Sequence, residues 1–141
     1  MKERQSQYPY WFSIPIQWGQ TNVHEHVPAD LILQWVESGR VPLLEALDLL
    51  TFDGKKPGVI LGKTELSIFE PCNHPDLMHI GTRISDIGQH TFSLETIIFS
   101  DRDQRIKAQN LAVLVLYDYA HNCKMDISPD LKRLMRPSME K

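Results

Sequence analysis

Residues 105–119 read Arg-Ile-Lys-Ala-Gln-Asn-Leu-Ala-Val-Leu-Val-Leu-Tyr-Asp-Tyr, and this stretch decides the fold. From Leu111 to Leu116 every side chain is apolar, so a strand here needs cover on both faces and belongs inside a sheet. Three runs before it alternate with the two-residue period of strands. Residues 58–70 do so through Ile60, Thr64, Leu66 and Ile68, and residues 78–88 through Met78, Ile80, Thr82 and Ile84. The third passes through Phe92, Leu94, Thr96 and Ile98 and closes on the turn Ser100-Asp101-Arg102-Asp103.

Working outward, residues 8–18 mix aromatic and β-branched side chains with Pro9 and Pro15, which places this strand near a sheet edge. In residues 30–50, Ile32, Trp35, Val36, Leu43, Leu47 and Leu50 recur near helical spacing. Gly39 and Pro42 interrupt this helix. Pro42 cannot donate to the Ser38 carbonyl, which predicts a kink or a split there. Residues 51–57 form a turn, and Ser128-Pro129 opens a short last helix over about residues 128–136. Residues 1–8 are a polar tail, and 1–141 is one α+β domain. A single long helix covers only one face of such a sheet. The strand apolar on both faces therefore implies a second copy of the chain, in a homodimer or tetramer.

Composition narrows the function. A hydrophobic share of 42% with 23% charged residues is that of an ordinary globular domain. The net charge of −3, with no basic cluster beyond Lys132-Arg133, argues against nucleic acid. The longest apolar run, residues 111–117, is too short for a membrane span, which takes about 20 residues. No apolar stretch follows the charged N-terminus as in a secretory leader. Cys72 and Cys123 lack CxxC spacing, so a reduced, cytoplasmic chain is expected. Six histidines show no HxxxH pattern, and neither a metal nor a cofactor is expected.

Chemistry concentrates in residues 18–30. After Trp18, where the first strand ends, a polar loop gathers Gln20, Asn22, His24, Glu25 and His26, and a helix begins at about Pro28. Side chains that move protons thus lie beside a helix start, whose free N–H groups can hold a carbonyl oxygen or an anion.

The loop and the element order together resemble the hotdog-fold thioesterases of the 4-hydroxybenzoyl-CoA thioesterase-like superfamily. Many of these carry Trp-Gly-Asp-x-Asp-x-x-Gly-His-Val-Asn-Asn after the first strand, then a helix reading Leu-Glu-x-Ala-Arg. Trp18-Gly19 and His26-Val27 match the first pattern, and Glu37 and Arg40 match the second. Residues 65–71 are similar to the family's second strand, and Ile87-Gly88-Gln89-His90-Thr91-Phe92 to its Ile-Gly-x-Ser-Phe strand start. The resemblance implies a hotdog fold, an acyl-CoA or other acyl thioester as substrate, and a site at a dimer interface. The departures fall in the loop: Gln20 and Asn22 stand where the family has aspartates, and Pro28-Ala29 replace Asn-Asn.

Set against that pattern, His26 is the candidate general base, or it only ties the loop to a neighbouring carbonyl. Asn22 either positions a water or the thioester carbonyl, or caps a turn; it cannot accept a proton at neutral pH. Glu25, the acid inside the loop, and Asp30, in the first helical turn, are the replacements for the absent carboxylate. Glu37 lies some nine residues into the helix, so it reaches a site shared with a second subunit or pairs with Arg40. Gln20, His24 and the backbone near Val27 complete the substrate-binding set, with the N–H groups of His26, Val27 and Ala29 as oxyanion donors. Hydrolysis of an acyl thioester is the leading function. A non-catalytic acyl-thioester binder is the alternative, followed by a hydratase or dehydratase, which the spacing Asn22-x-x-x-His26 fits poorly.

Overall fold

The computed structural model describes residues 7–50 and 55–139. The alternating runs become antiparallel strands β1 (Tyr10–Pro15), β2 (Gly58–Ile68), β3 (Leu77–Ile87), β4 (Thr91–Ser100) and β5 (Ile106–Asp118), with a two-residue β6 (Cys123–Lys124). The sheet order is β1-β3-β4-β5-β2, and β6 pairs with β5. Helix α1 (Ala29–Ala46) packs across β1, β3 and β4, and α2 (Pro129–Met135) follows the last strand. This is the α+β hotdog plan, a sheet curled about one long helix. Part of the turn expected at 51–57, residues 51–54, lies outside the described residues.

β5 is interior, between β4 and β2, as its apolar centre requires. Its cover is one-sided. Ala112, Leu114 and Leu116 are buried on the helix face, whereas Leu111 on the other face is 44% exposed. Ser128 caps α2, its Oγ accepting the Leu131 N–H at 3.1 Å, and Pro129 takes the first helical position.

Three expectations need correction. The first strand stops at Pro15, and Trp18–Gln20 is a 3-10 turn rather than the strand's end. Tyr8 does not belong to the polar tail. It is buried, and its hydroxyl donates to Glu95 Oε1 at 2.6 Å. Pro42 does not split α1, which runs unbroken through it. Both halves of the helix are clamped to the sheet. Ile32, Trp35 and Val36 pack with Met78, Ile80, Ile98 and Ala108, while Leu43, Leu44 and Leu47 pack with Ile84, Phe92, Leu94 and Leu114. Packing of this extent outweighs one lost backbone hydrogen bond. Gly39, between the clamps, lets the helix approach β3, where a Cβ would run into Ile80 Cγ2.

The sheet's two edges differ. β1 is six residues long and ends in proline, which blunts it against pairing. β2 is eleven residues long without proline. Its helix-side residues Leu61 and Ile68 stand opposite Leu114 and Ala108, both buried, yet are 42% and 46% exposed. Helix α1 stops short of them.

Candidate active site

The loop after the 3-10 turn is built on Asn22. Its backbone N–H donates to the His26 carbonyl at 2.9 Å. Its side-chain Oδ1 accepts the N–H groups of His24 at 2.9 Å and of His26 at 3.2 Å. Such Asx bonding closes a tight loop, and Glu25 takes the left-handed backbone (φ 62) that the closure demands. The Asn22 carboxamide oxygen thus acts as a turn cap, while Nδ2 has no hydrogen-bond partner among the described residues.

A second set of bonds staples this loop to the segment after β2. Val27 N–H donates to the Cys72 carbonyl at 2.9 Å, Asn73 Nδ2 donates to the Glu25 carbonyl at 3.0 Å, and His26 and Asn73 form an antiparallel bridge. Between the two strips of chain lies an open groove of about 320 Å³, lined by Asn22, His26, Val27, Ile68, Phe69, Glu70 and Pro71. Asn22 and His26 form its polar wall, and buried Val27 with Ile68, Phe69 and Pro71 an apolar floor.

The structure therefore brings Asn22, His26 and Val27 together at one groove and leaves the other candidates off it. Gln20 closes the 3-10 turn, its Oε1 accepting the Gln17 N–H at 2.8 Å. His24 is exposed, its ring 6.4 Å from that of His26. Glu25 and Asp30 are exposed and do not line the groove. Glu37 lies on the exposed side of α1, where its charge acts on Arg40. Burial holds the Arg40 guanidinium below its ordinary pKa, Glu37 opposing, and its Nη2 donates to Asn110 Oδ1 at 3.1 Å.

The oxyanion donors change as well. The His26 and Val27 N–H groups are spent on Asn22 and Cys72. At the helix start, Ala29 and Asp30 keep N–H groups without a partner among the described residues. Cys72 is no nucleophile, because burial pushes its thiol up to about 11. Of the aromatic residues, Trp35 and Phe92 are core, Phe69 lines the groove, and Trp18 is 65% exposed with its ring edge-on to His74. Among the described residues no three His, Cys, Asp or Glu side chains cluster as a metal site. No described helix is long and apolar enough to cross a membrane.

Sequence reasoning missed one groove residue, Glu70. Arg105 Nη2 donates to its Oε1 at 2.7 Å, and Lys107 Nζ approaches the same oxygen at 3.4 Å. Lys107 also pairs with Asp103 at 2.7 Å. Burial works against the Lys107 charge, but its bonds to Asp103 and Glu70 outweigh that and raise its pKa. The one signal in the sequence was an acid followed by proline where a strand leaves the sheet.

A sheet curled about one helix, with a polar loop at the helix start, is the plan of a hotdog-fold thioesterase. The sequence matches the Thioesterase-like superfamily over residues 16–135, and the chain belongs to that family. No protein of curated function matches it by sequence. Among solved structures, a predicted thioesterase from Bacillus stearothermophilus superposes with a TM-score of 0.84 at 14% identity, over 94% of this chain and 97% of that one. A Thermus thermophilus thioesterase complexed with coenzyme A and zinc gives 0.81 at 16% identity, over 94% and 96%. A 1,4-dihydroxy-2-naphthoyl-CoA thioesterase from Synechocystis gives 0.75 at 13%, over 90% and 95%. At such identities these likenesses establish the fold alone.

Proposed function

We propose that this chain hydrolyses acyl thioesters, acyl-CoA foremost, in the groove between loop 22–27 and residues 68–71. The observation that carries this reading is the groove itself. A polar wall of Asn22 and His26 faces an apolar floor beside a helix start with unpartnered N–H groups, in a chain of the thioesterase-like superfamily. The acyl group lies on Ile68 and Phe69, and Asn22 Nδ2 or the Ala29 N–H takes the carbonyl oxygen. Each such donor is worth roughly 3–4 kcal/mol where measured elsewhere. His26 is the proton-transfer group of that wall. The coenzyme A bound by the Thermus relative and the CoA ester named for the Synechocystis one support a CoA thioester as substrate.

The working unit in this reading is a homodimer joined at β2. That edge is long, free of proline and flanked by exposed Leu61 and Ile68, and the groove opens beside it, so a second copy would wall the site. A cytoplasmic location suits two cysteines that form no disulfide.

A second reading, an acyl-thioester binder without turnover, draws on the loop's lack of an acid on the groove and on the Asn22 oxygen being spent as a cap. Release of free thiol from a panel of acyl-CoAs decides between them. Turnover that falls by about 10²–10⁴-fold in His26→Ala supports hydrolysis at this wall. Tight binding of the same esters with no thiol release assigns the protein to the binders.

A further inference from the structure

Among the described residues Glu70 is the one carboxylate lining the groove, and two cations hold it by one oxygen. We propose that Glu70 is the catalytic base of this site, replacing the carboxylate absent from positions 20 and 22; the assignment rests on the hydrolase reading above. Arg105 and Lys107 both bond to Oε1, while Oε2 has no hydrogen-bond partner among the described residues. A carboxylate anchored at one oxygen and free at the other is oriented before substrate arrives.

Its backbone is fixed too. The Phe69 and Glu70 N–H groups donate to the Lys107 carbonyl at 2.8 and 3.2 Å, and residues 72 and 73 are bonded to the catalytic loop. Glu70 thus lines the groove together with Asn22 and His26, and it also lines the adjoining hollow beside Arg105. Glu25, Asp30 and Glu37 have no such position.

In the step this geometry supports, Oε2 takes a proton from water as the water oxygen bonds to the thioester carbon. The carbonyl oxygen becomes an oxyanion. When it collapses, the C–S bond breaks, the thiolate leaves with the electron pair, and the proton that Glu70 took from water neutralises it, directly or relayed through His26. The products are the acid and the free thiol, with no co-reactant beyond water. Arg105 and Lys107 act through Glu70 as positioning residues.

The test uses the full chain and acyl-CoA esters, with thiol release as the readout. Glu70→Gln should lower kcat by about 10²–10⁴-fold with KM little changed. Arg105→Gln removes the 2.7 Å partner but keeps the carboxylate, and should cost about fivefold or less, as expected of an exposed pair. If Glu70 only held the fold together, the two variants would lose activity alike, and that outcome overturns the assignment. Glu70→Asp keeps the charge and withdraws the oxygen, so it should also lose most of kcat while remaining folded. A single turnover in heavy-oxygen water should label the released acid only; label in the Glu70 peptide would show direct attack and overturn the base role. Wild-type turnover that survives Glu70→Gln overturns this assignment alone. Absence of thiol release by the wild type overturns the hydrolase reading and the assignment with it.

Discussion

Asn22 Oδ1 accepts the backbone N–H of His26 at 3.2 Å, so the residue in the place of the family's acid holds the loop's histidine. Aspartate at that position can accept the same N–H groups, since its carboxylate has the same reach. Alanine cannot. Asn22→Asp should therefore keep the melting temperature and the loop, whereas Asn22→Ala should lose about 1 kcal/mol of stability. It should also lose about 10²-fold in thiol release, because a misplaced group near the chemistry costs that much. Thermal melts and a thiol assay on both variants check this. Full activity in Asn22→Ala would detach the loop from the reaction.

At β2 the prediction concerns assembly. Wild-type protein should sediment at twice its 16.3 kDa chain mass at micromolar concentration. Leu61→Lys should yield monomers, since a lysine at that half-covered position would be desolvated between two copies. In a monomeric protein the same change is nearly silent, within about 0.5 kcal/mol. Equilibrium sedimentation of both proteins separates the cases, and a monomeric wild type would refute the dimer.

How much of this was legible in sequence follows from which interactions are local. The strands were readable because Ile80, Ile84, Leu94 and Ile98 repeat with the pleat and are all buried on one side. The loop was readable because Asn22, His24, Glu25 and His26 bond within five residues of one another. The place of β2 was not, since it pairs with β5 rather than with its neighbour in sequence. Glu70 escaped for the same reason: it reaches the groove through the pairing of Asn73 with His26, which no periodicity marks. Pro42 misled as a splitting point because local propensity was read without the two hydrophobic clamps that hold α1 continuous through it.

On the outer face of the sheet Glu95 accepts from Tyr8 at 2.6 Å, Arg83 at 2.8 Å and Gln109 at 3.1 Å. Burial alone would raise its carboxyl pKa, but these bonds outweigh it and hold the group below the usual value. A carboxyl depressed in the fold stabilises fully above the pKa of the unfolded chain, about 4.3, and that stability is lost as pH falls through the lower folded value. Glu95→Gln should cost about 1–3 kcal/mol at neutral pH and much less once both proteins are well below about pH 4. Urea midpoints across that range provide the check. An equal penalty at every pH would mean that packing, not charge, is what Glu95 supplies.

At Gly39 α1 comes close against β3: a Cβ there would strike Ile80 Cγ2, and the Gly39 carbonyl accepts from Thr82 Oγ1 at 3.1 Å. By helix propensity alone, Gly39→Ala should stabilise by about 0.5–1 kcal/mol. Overpacking against β3 acts the other way, at about 1–3 kcal/mol, and should win because Ile80 is fully buried and cannot yield. The sign of the change in denaturant midpoint therefore tests the close approach directly. Ile80→Leu removes the β-branch that the new methyl would meet while nearly conserving volume, at a cost under about 1.5 kcal/mol. The double variant should be more stable than the two single losses add up to, with coupling of about 1 kcal/mol or more. Strict additivity would place the helix farther from β3 than this structure has it.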